Sequence, residues 1–187
     1  MRTLLIACCS LMAGFTLQAQ SNWSADKAHS QVQFEITHLL ISTVAGNFTD
    51  FEITATAGDT FSDPKFSATI QTASVNTDNE RRDNHLRGAD FFEVETYPEM
   101  SFVTTSVEST GENTFDLNGD LTMHGVTKSV TLKGSVIGII TDRRSQKLKA
   151  GVRLSTTIDR KDFGVGTEMG MVGDPVEITI RLEMAQQ

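Results

Sequence analysis

From Val32 to Met184 the chain repeatedly alternates apolar and polar residues with a period of two, which restricts it to strands buried on one face. Val32, Phe34 and Ile36 alternate with Gln33, Glu35 and Thr37; Phe51, Ile53 and Ala55 with Glu52 and Thr54; Phe66, Ala68 and Ile70 with Ser67 and Thr69. Met100 and Phe102 open a fourth run, with Val103 and Val107 on the opposite parity. A fifth runs from Phe115 through Leu117, Gly119 and Leu121 to Met123, and a sixth from Val130 through Leu132, Gly134, Val136 and Gly138 to Ile140. The last two are Leu148–Ile158 and Val176–Met184. These are eight strands, and eight antiparallel strands make either a filled sandwich or a closed barrel able to hold one small ligand. Gly119, Gly134, Gly138, Ala68 and Ala150 face inward, so the reading favours a barrel with free space inside and Phe side chains as its walls.

Turn signals separate the runs: Gly58-Asp59, Asp63-Pro64, Gly111-Glu112-Asn113, His124-Gly125 and Asp174-Pro175. Asn118-Gly119 resembles a hairpin turn, but the parity passes through it unbroken, which places it inside a strand. One polar, charged stretch breaks the rhythm. Asp78 to Leu86, with Asp78 as N-cap, reads as a short helical insertion around residues 78–87. Gly164 to Gly170 reads as a flexible loop before the last strand.

Met1 to Ala19 carries the marks of a cleavable signal peptide: Arg2, an apolar core from Leu4 to Leu17, and a small residue at the cleavage position. Its apolar run is shorter than the roughly 20 residues a spanning helix needs. The remaining chain, 20–187, is then one periplasmic or secreted domain. Leu5-Ile6-Ala7-Cys8 resembles a lipid-attachment box, but the seven residues before Cys8 are too few for an export region. Cys8 and Cys9 both fall in the leader, leaving no thiol for catalysis, zinc or disulfides. With 16 Lys+Arg against 24 Asp+Glu and a net charge of -8, a nucleic-acid partner and a polybasic membrane anchor are disfavoured.

Catalytic signals are sparse. There is no Gly-x-Ser-x-Gly elbow and no phosphate-binding glycine loop of the usual form. The four histidines, His29, His38, His85 and His124, show no tight ligand spacing, so neither a metal nor a cofactor is expected. His38 shares the parity of Phe34 and Ile36 and points inward at a strand end. Arg81 to Leu86 is either a solvated helical turn or a polar lid over a ligand's head group.

The order of several blocks resembles the YceI-like family of secreted lipid- or polyisoprenoid-binding proteins. They are Asp26-Lys27-Ala28-His29-Ser30, Gly46-Asn47-Phe48, Ser74-Val75-Asn76-Thr77, Arg82-Asp83-Asn84-His85-Leu86, Asp90-Phe91-Phe92, Gly119 to Lys128, and Arg160-Lys161-Asp162-Phe163-Gly164. The resemblance implies an all-β, lipocalin-like eight-stranded antiparallel β-barrel around an apolar tunnel for a long-chain isoprenoid, a quinone-type tail or another apolar lipid. The expected tunnel wall is Phe34, Ile36, Phe51, Phe66, Phe91, Phe92, Phe102, Leu121, Met123 and Phe163. The expected polar mouth is His38, Arg82, Asp83 and His85. Binding, storage or transport without catalysis is the leading reading; an enzyme using His38 or His85 as acid and base is the alternative. Outward positions are mostly Thr, Ser, Glu and Gln, which argues against a protein-docking face, although Val103 and Val107 leave a homodimer open.

Overall fold

The computed structural model describes residues 20–61 and 63–187, so the expected signal peptide lies outside the described residues. Eleven strands occur in chain order: β1 (Ser21–Ala25), β2 (Gln31–His38), β3 (Ser42–Phe48), β4 (Phe51–Ala57), β5 (Lys65–Gln71), β6 (Val75–Asn76), β7 (Glu99–Gly111), β8 (Thr114–Met123), β9 (Val126–Thr141), β10 (Leu148–Asp159) and β11 (Val172–Gln186). Among the described residues one α-helix, α1 (Glu80–Arg87), lies between β6 and β7.

Two pairs of these strands are in line. β1 and β2 both run antiparallel to β11, through Ala25↔Met184 and Gln31↔Arg181. Between them, residues 26–30 step out of the ladder, and the Ser30 hydroxyl accepts the Glu183 amide at 3.1 Å in place of a strand partner. β3 pairs with β2 and β4 with β1, so β3 and β4 form a second interrupted strand, broken at Thr49-Asp50. Counted this way, β1/β2, β3/β4, β5, β7, β8, β9, β10 and β11 close an eight-stranded antiparallel barrel. The alternating runs thus give the right number of staves. They miss β1, β3 and β6, which are short or lack a sustained apolar parity.

β-Bulges explain where the parity misleads. In β7 the register to β8 shifts between Thr104 and Ser106, and one extra residue turns every later side chain over. Val107 therefore packs against the core opposite Leu117, while Val103 stays exposed. A second bulge puts Val152 opposite Val136 and Gly151 opposite Gly138. Past it Ile139 packs inward, and Ile140, expected inside, faces solvent.

The inward space beside the glycines is mostly taken by phenylalanine. A Cβ on Gly134 would lie 2.1 Å from Phe115 Cε2, one on Gly119 2.3 Å from Phe102 Cζ, and one on Gly46 2.5 Å from Phe34 Cζ. Each ring lies against a bare backbone across the strand pair. These glycines let aromatic rings lie flat on the wall. Gly138, expected inside, lies past the β9 bulge on the parity of Ile140, so it faces solvent and a Cβ there would meet nothing within 4 Å.

One end of the barrel is filled. Trp23 stacks edge-on against Phe61 at 5.1 Å and donates its indole N–H to Ala57 O at 3.2 Å. Phe61, Leu117, Ala150 and Met184 are fully buried in the same core. At the other end β5 stops at Gln71 and β7 begins at Glu99, so the barrel wall is completed by the segment between them. β6 pairs with the end of β3, and α1 follows it. The N-cap of α1 is Asn79, whose side chain accepts the Arg82 amide at 3.0 Å; Asp78, expected to cap, takes φ 58° instead. Arg87 fastens the helix by donating to Ala73 O at 2.8 Å and Val75 O at 2.9 Å.

Candidate functional site

Above the filled end lies a cavity of about 630 Å³. That volume falls in the range of small-molecule sites, about 300–1,000 Å³. Every stave supplies inward apolar groups: Phe34 and Ile36 from β2, Val44 and Ile53 from β3 and β4, Phe66 and Ala68 from β5, Met100 and Phe102 from β7, Leu121 and Met123 from β8, Val130 and Leu132 from β9, Leu154 and Ile158 from β10, and Ile178 and Ile180 from β11. Leu86 of α1 and Phe91 and Phe92 beyond it complete the wall. Phe34, Phe48 and Phe92 form a continuous aromatic side, with successive ring centres 5.7 Å apart.

Eight of the ten apolar residues expected at a tunnel wall line this cavity. Phe51 and Phe163 do not. Phe51 is sealed in the core where β4 begins, opposite Ile70. Phe163 sits in the short 3-10 turn Arg160–Phe163, where it lines a separate, polar pocket with Lys128, Thr131 and Asp162. That pocket marks a seam: β9 and β10 pair only as far as Ser155↔Lys133, and beyond it the Lys128–Asp162 ion pair of 2.7 Å ties β9 to the 3-10 turn that follows β10.

Three of the four expected mouth residues, His38, Arg82 and His85, reach the cavity. Asp83 does not. It is buried beneath them, accepting the Thr77 amide at 2.9 Å and the Thr77 hydroxyl at 2.5 Å. Arg82 in turn donates from Nε to the Thr77 hydroxyl oxygen at 2.7 Å and from its terminal nitrogen to Thr77 O at 2.8 Å. The Asp83 carboxylate therefore sets the hydroxyl that holds Arg82. It is a positioning residue, and helical spacing alone does not separate it from its neighbour. His85 meets Asp90 at 3.2 Å and places its ring edge-on to Phe91 at 5.1 Å.

Two contributors escape the sequence reading. The first is Gly164 to Gly170, expected to be a flexible loop, which supplies Val165, Glu168 and Met169 to the wall and leads into Met171 and Val172, which line it as well. The second is Arg160, only 3% exposed. Its guanidinium donates to Gly173 O at 2.8 Å, Val165 O at 2.9 Å, Met169 O at 3.0 Å, Val172 O at 3.1 Å, the Gly166 carbonyl, and Asp174 Oδ1 at 3.1 Å. One side chain thus satisfies five carbonyls and holds the whole loop over the barrel end. Its signal was the Arg160-Lys161-Asp162-Phe163-Gly164 block, but the block does not reveal which residue reaches inward.

Away from the cavity, Asp26, His29 and Glu183 bring ligand-type atoms within 4.8 Å of one another. The cluster already carries its own cation: Lys149 Nζ lies 2.7 Å from Glu183. His29 bonds Asp26 at 2.9 Å, which holds that carboxyl below its ordinary range and pushes the imidazole above its own. No helix among the described residues is long and apolar enough to cross a membrane.

The fold and its hollow define a closed antiparallel β-barrel with a packed base and an apolar chamber beneath a polar-edged mouth. The chain belongs to the YceI-like family, whose YceI-like domain matches residues 23–184. It is 38% identical over 178 residues to Protein YceI of Escherichia coli, covering 94% of this chain and 91% of that one. The crystal structure of the Campylobacter jejuni YceI protein is 34% identical, with a TM-score of 0.76 over 94% of this chain and 99% of that one. The fold is shared, at 18% identity and a TM-score of 0.67, with a polyisoprenoid binding domain from Saccharophagus degradans, covering 88% of this chain and 98% of that one.

Proposed function

We propose that the protein binds a long apolar lipid, of polyisoprenoid or quinone-tail type, in its barrel and carries or stores it without chemical change. The observation that carries this reading is the 630 Å³ chamber, walled almost entirely by aliphatic and phenylalanine side chains and edged by a few polar groups. Phenylalanine offers apolar surface without a polar handle, which suits a hydrocarbon chain and not a sugar. Each methylene buried contributes about 0.8 kcal/mol of gross transfer energy. Affinity then grows with tail length, and selection among head groups falls to His38, Arg82 and His85. The Saccharophagus degradans domain, described as polyisoprenoid binding, gives the same ligand class on the same fold.

The reading includes export: Met1 to Ala19 directs the chain to the periplasm or outside the cell, and Gln20 begins the mature protein. N-terminal sequencing of protein recovered from the periplasm or the medium tests it. Native mass spectrometry of the mature protein should show a co-purifying lipid of a few hundred daltons. A protein that stays empty and takes up no polyprenol refutes binding. Lipid recovered chemically altered after incubation, with the change lost in His38→Ala or His85→Ala, refutes the non-catalytic part.

A further inference from the structure

The turn joining β2 to β3 breaks two physical preferences at once. Its four residues are His38-Leu39-Leu40-Ile41, closed by the Ile41 amide donating to His38 O at 3.2 Å. Leu39 and Leu40 have φ of 54° and 61°, the left-handed pair of a type I′ turn. Such positions favour Asn-Gly, because a Cβ is strained there. The same turn shows its side chains to water: Leu40 is 90% exposed, Ile41 85% and Leu39 38%. Neither the backbone strain nor the exposed apolar surface helps the fold. Such a departure from local energetics points to a function at the site.

A second apolar residue sits beside the turn. The Leu39 amide donates to Met171 O at 2.8 Å, and Met171 is 69% exposed. Of the seven large hydrophobic residues exposed among the described residues, these four are clustered, while Val103, Ile137 and Ile140 lie on other strands. The cluster is continuous with the cavity: His38, Met171 and Val172 all line it, and Val172 pairs with His38.

We infer that Leu39, Leu40, Ile41 and Met171 form a docking tip that enters the surface of a lipid bilayer and sets the cavity mouth against the acyl layer. The inference rests on the lipid-carrier reading. The occupant follows from size and continuity. The four side chains present roughly 500 Å² of apolar surface, the scale of a functional patch. That is well short of the roughly 800 Å² per partner of a stable protein interface. The tip is wholly aliphatic and has none of the Trp, Tyr or Arg anchors that carry protein interfaces. With the tip in the bilayer, a hydrocarbon tail passes between membrane and cavity without crossing water, which removes most of the barrier to exchange.

The test compares the mature wild-type chain with Leu39→Asn/Leu40→Gly. This variant gives the turn its preferred residues and should unfold at the same or a higher temperature, so lost docking cannot be put down to misfolding. The probes are vesicles of phosphatidylcholine alone, vesicles also containing phosphatidylglycerol, and a fluorescent polyprenol offered either in vesicles or in cyclodextrin. Wild type should bind both vesicle types with little salt dependence. The variant should bind them at least about tenfold more weakly, the effect of removing two aliphatic anchors. Extraction of polyprenol from vesicles should slow in parallel, while uptake from cyclodextrin stays the same. Equal vesicle binding by the two proteins overturns the inference. So does binding that requires phosphatidylglycerol and disappears in salt, or a solution dimer that Leu39→Asn/Leu40→Gly dissociates. If wild type takes up no polyprenol from cyclodextrin yet binds vesicles through the tip, the carrier reading fails and the docking tip stands.

Discussion

Replacing Ala68 with tryptophan tests whether the hollow, and not the outer surface, holds the lipid. Ala68 lies mid-strand on β5, faces Ile53 and Phe102 across the ladder, and lines the chamber. At about 30 Å³ per heavy atom, the share of a water molecule in the liquid, the 630 Å³ chamber takes roughly twenty heavy atoms, or about four isoprene units. Longer tails must leave through the mouth, so affinity should climb with each unit and level off near the fourth. Ala68→Trp adds nine heavy atoms and occupies about 270 Å³ on the same scale. The level stretch should then begin between the second and third unit. Losing the burial of about nine methylenes sets a ceiling of about 7 kcal/mol. The ordering cost of a flexible chain absorbs much of it, leaving a loss of about a hundredfold for a four-unit tail. Binding of a polyprenol series with increasing numbers of units, followed by native mass spectrometry and fluorescence displacement, measures the shift. Ser67→Trp, one residue away and pointing outward, is the control. The reasoning is refuted if both tryptophan variants bind alike, or if Ala68→Trp leaves the length dependence unmoved.

Three further outcomes follow from particular contacts. Arg160→Met leaves five carbonyls without their donor, so it should lower unfolding free energy by about 3 kcal/mol. It should also raise amide exchange across residues 165–174; denaturant melts and exchange profiles matching wild type would contradict the role given to it. Gly134→Ala and Gly138→Ala should diverge, because the added methyl overlaps the Phe115 ring in the first and meets nothing within 4 Å in the second. Thermal unfolding should show a loss of about 1–3 kcal/mol for the first and little change or a small gain for the second. The His29–Asp26 pair makes a pH-dependent contribution whose sign is set by both partners. The raised imidazole contributes fully below about 6.5 and its share fades as pH climbs through the raised value; the lowered carboxyl contributes above about 3.9 and its share fades as pH falls through the lowered value. The contribution is therefore greatest between those two ranges, and Asp26→Asn should return the His29 titration, followed by NMR, toward its ordinary position. An unchanged His29 titration in that variant would refute the pairing.

Alternation along the chain was enough to fix eight staves, an inward Phe34 and Ile36, and a helical interruption near residue 80, because strand periodicity is a local property of backbone and neighbouring side chains. The family resemblance placed Arg82 and His85 at the mouth, and local pattern put only His38 inward at a strand end. It did not separate Arg82 from Asp83, since which of two adjacent helical residues turns inward depends on Thr77, beyond the helix end. It failed again at Val107 and Ile140, where a single extra residue in one strand reverses everything downstream and only the partner strand reveals it. The hollow itself belongs to the tertiary structure. Gly119 and Gly134, which suggested open space, are covered by Phe102 and Phe115, and Gly138 faces outward, while the chamber arises where staves far apart in sequence separate around more volume than their side chains fill. Whether inward-facing residues pack solid or leave room is a sum over all the staves together, and no single run of residues contains that sum.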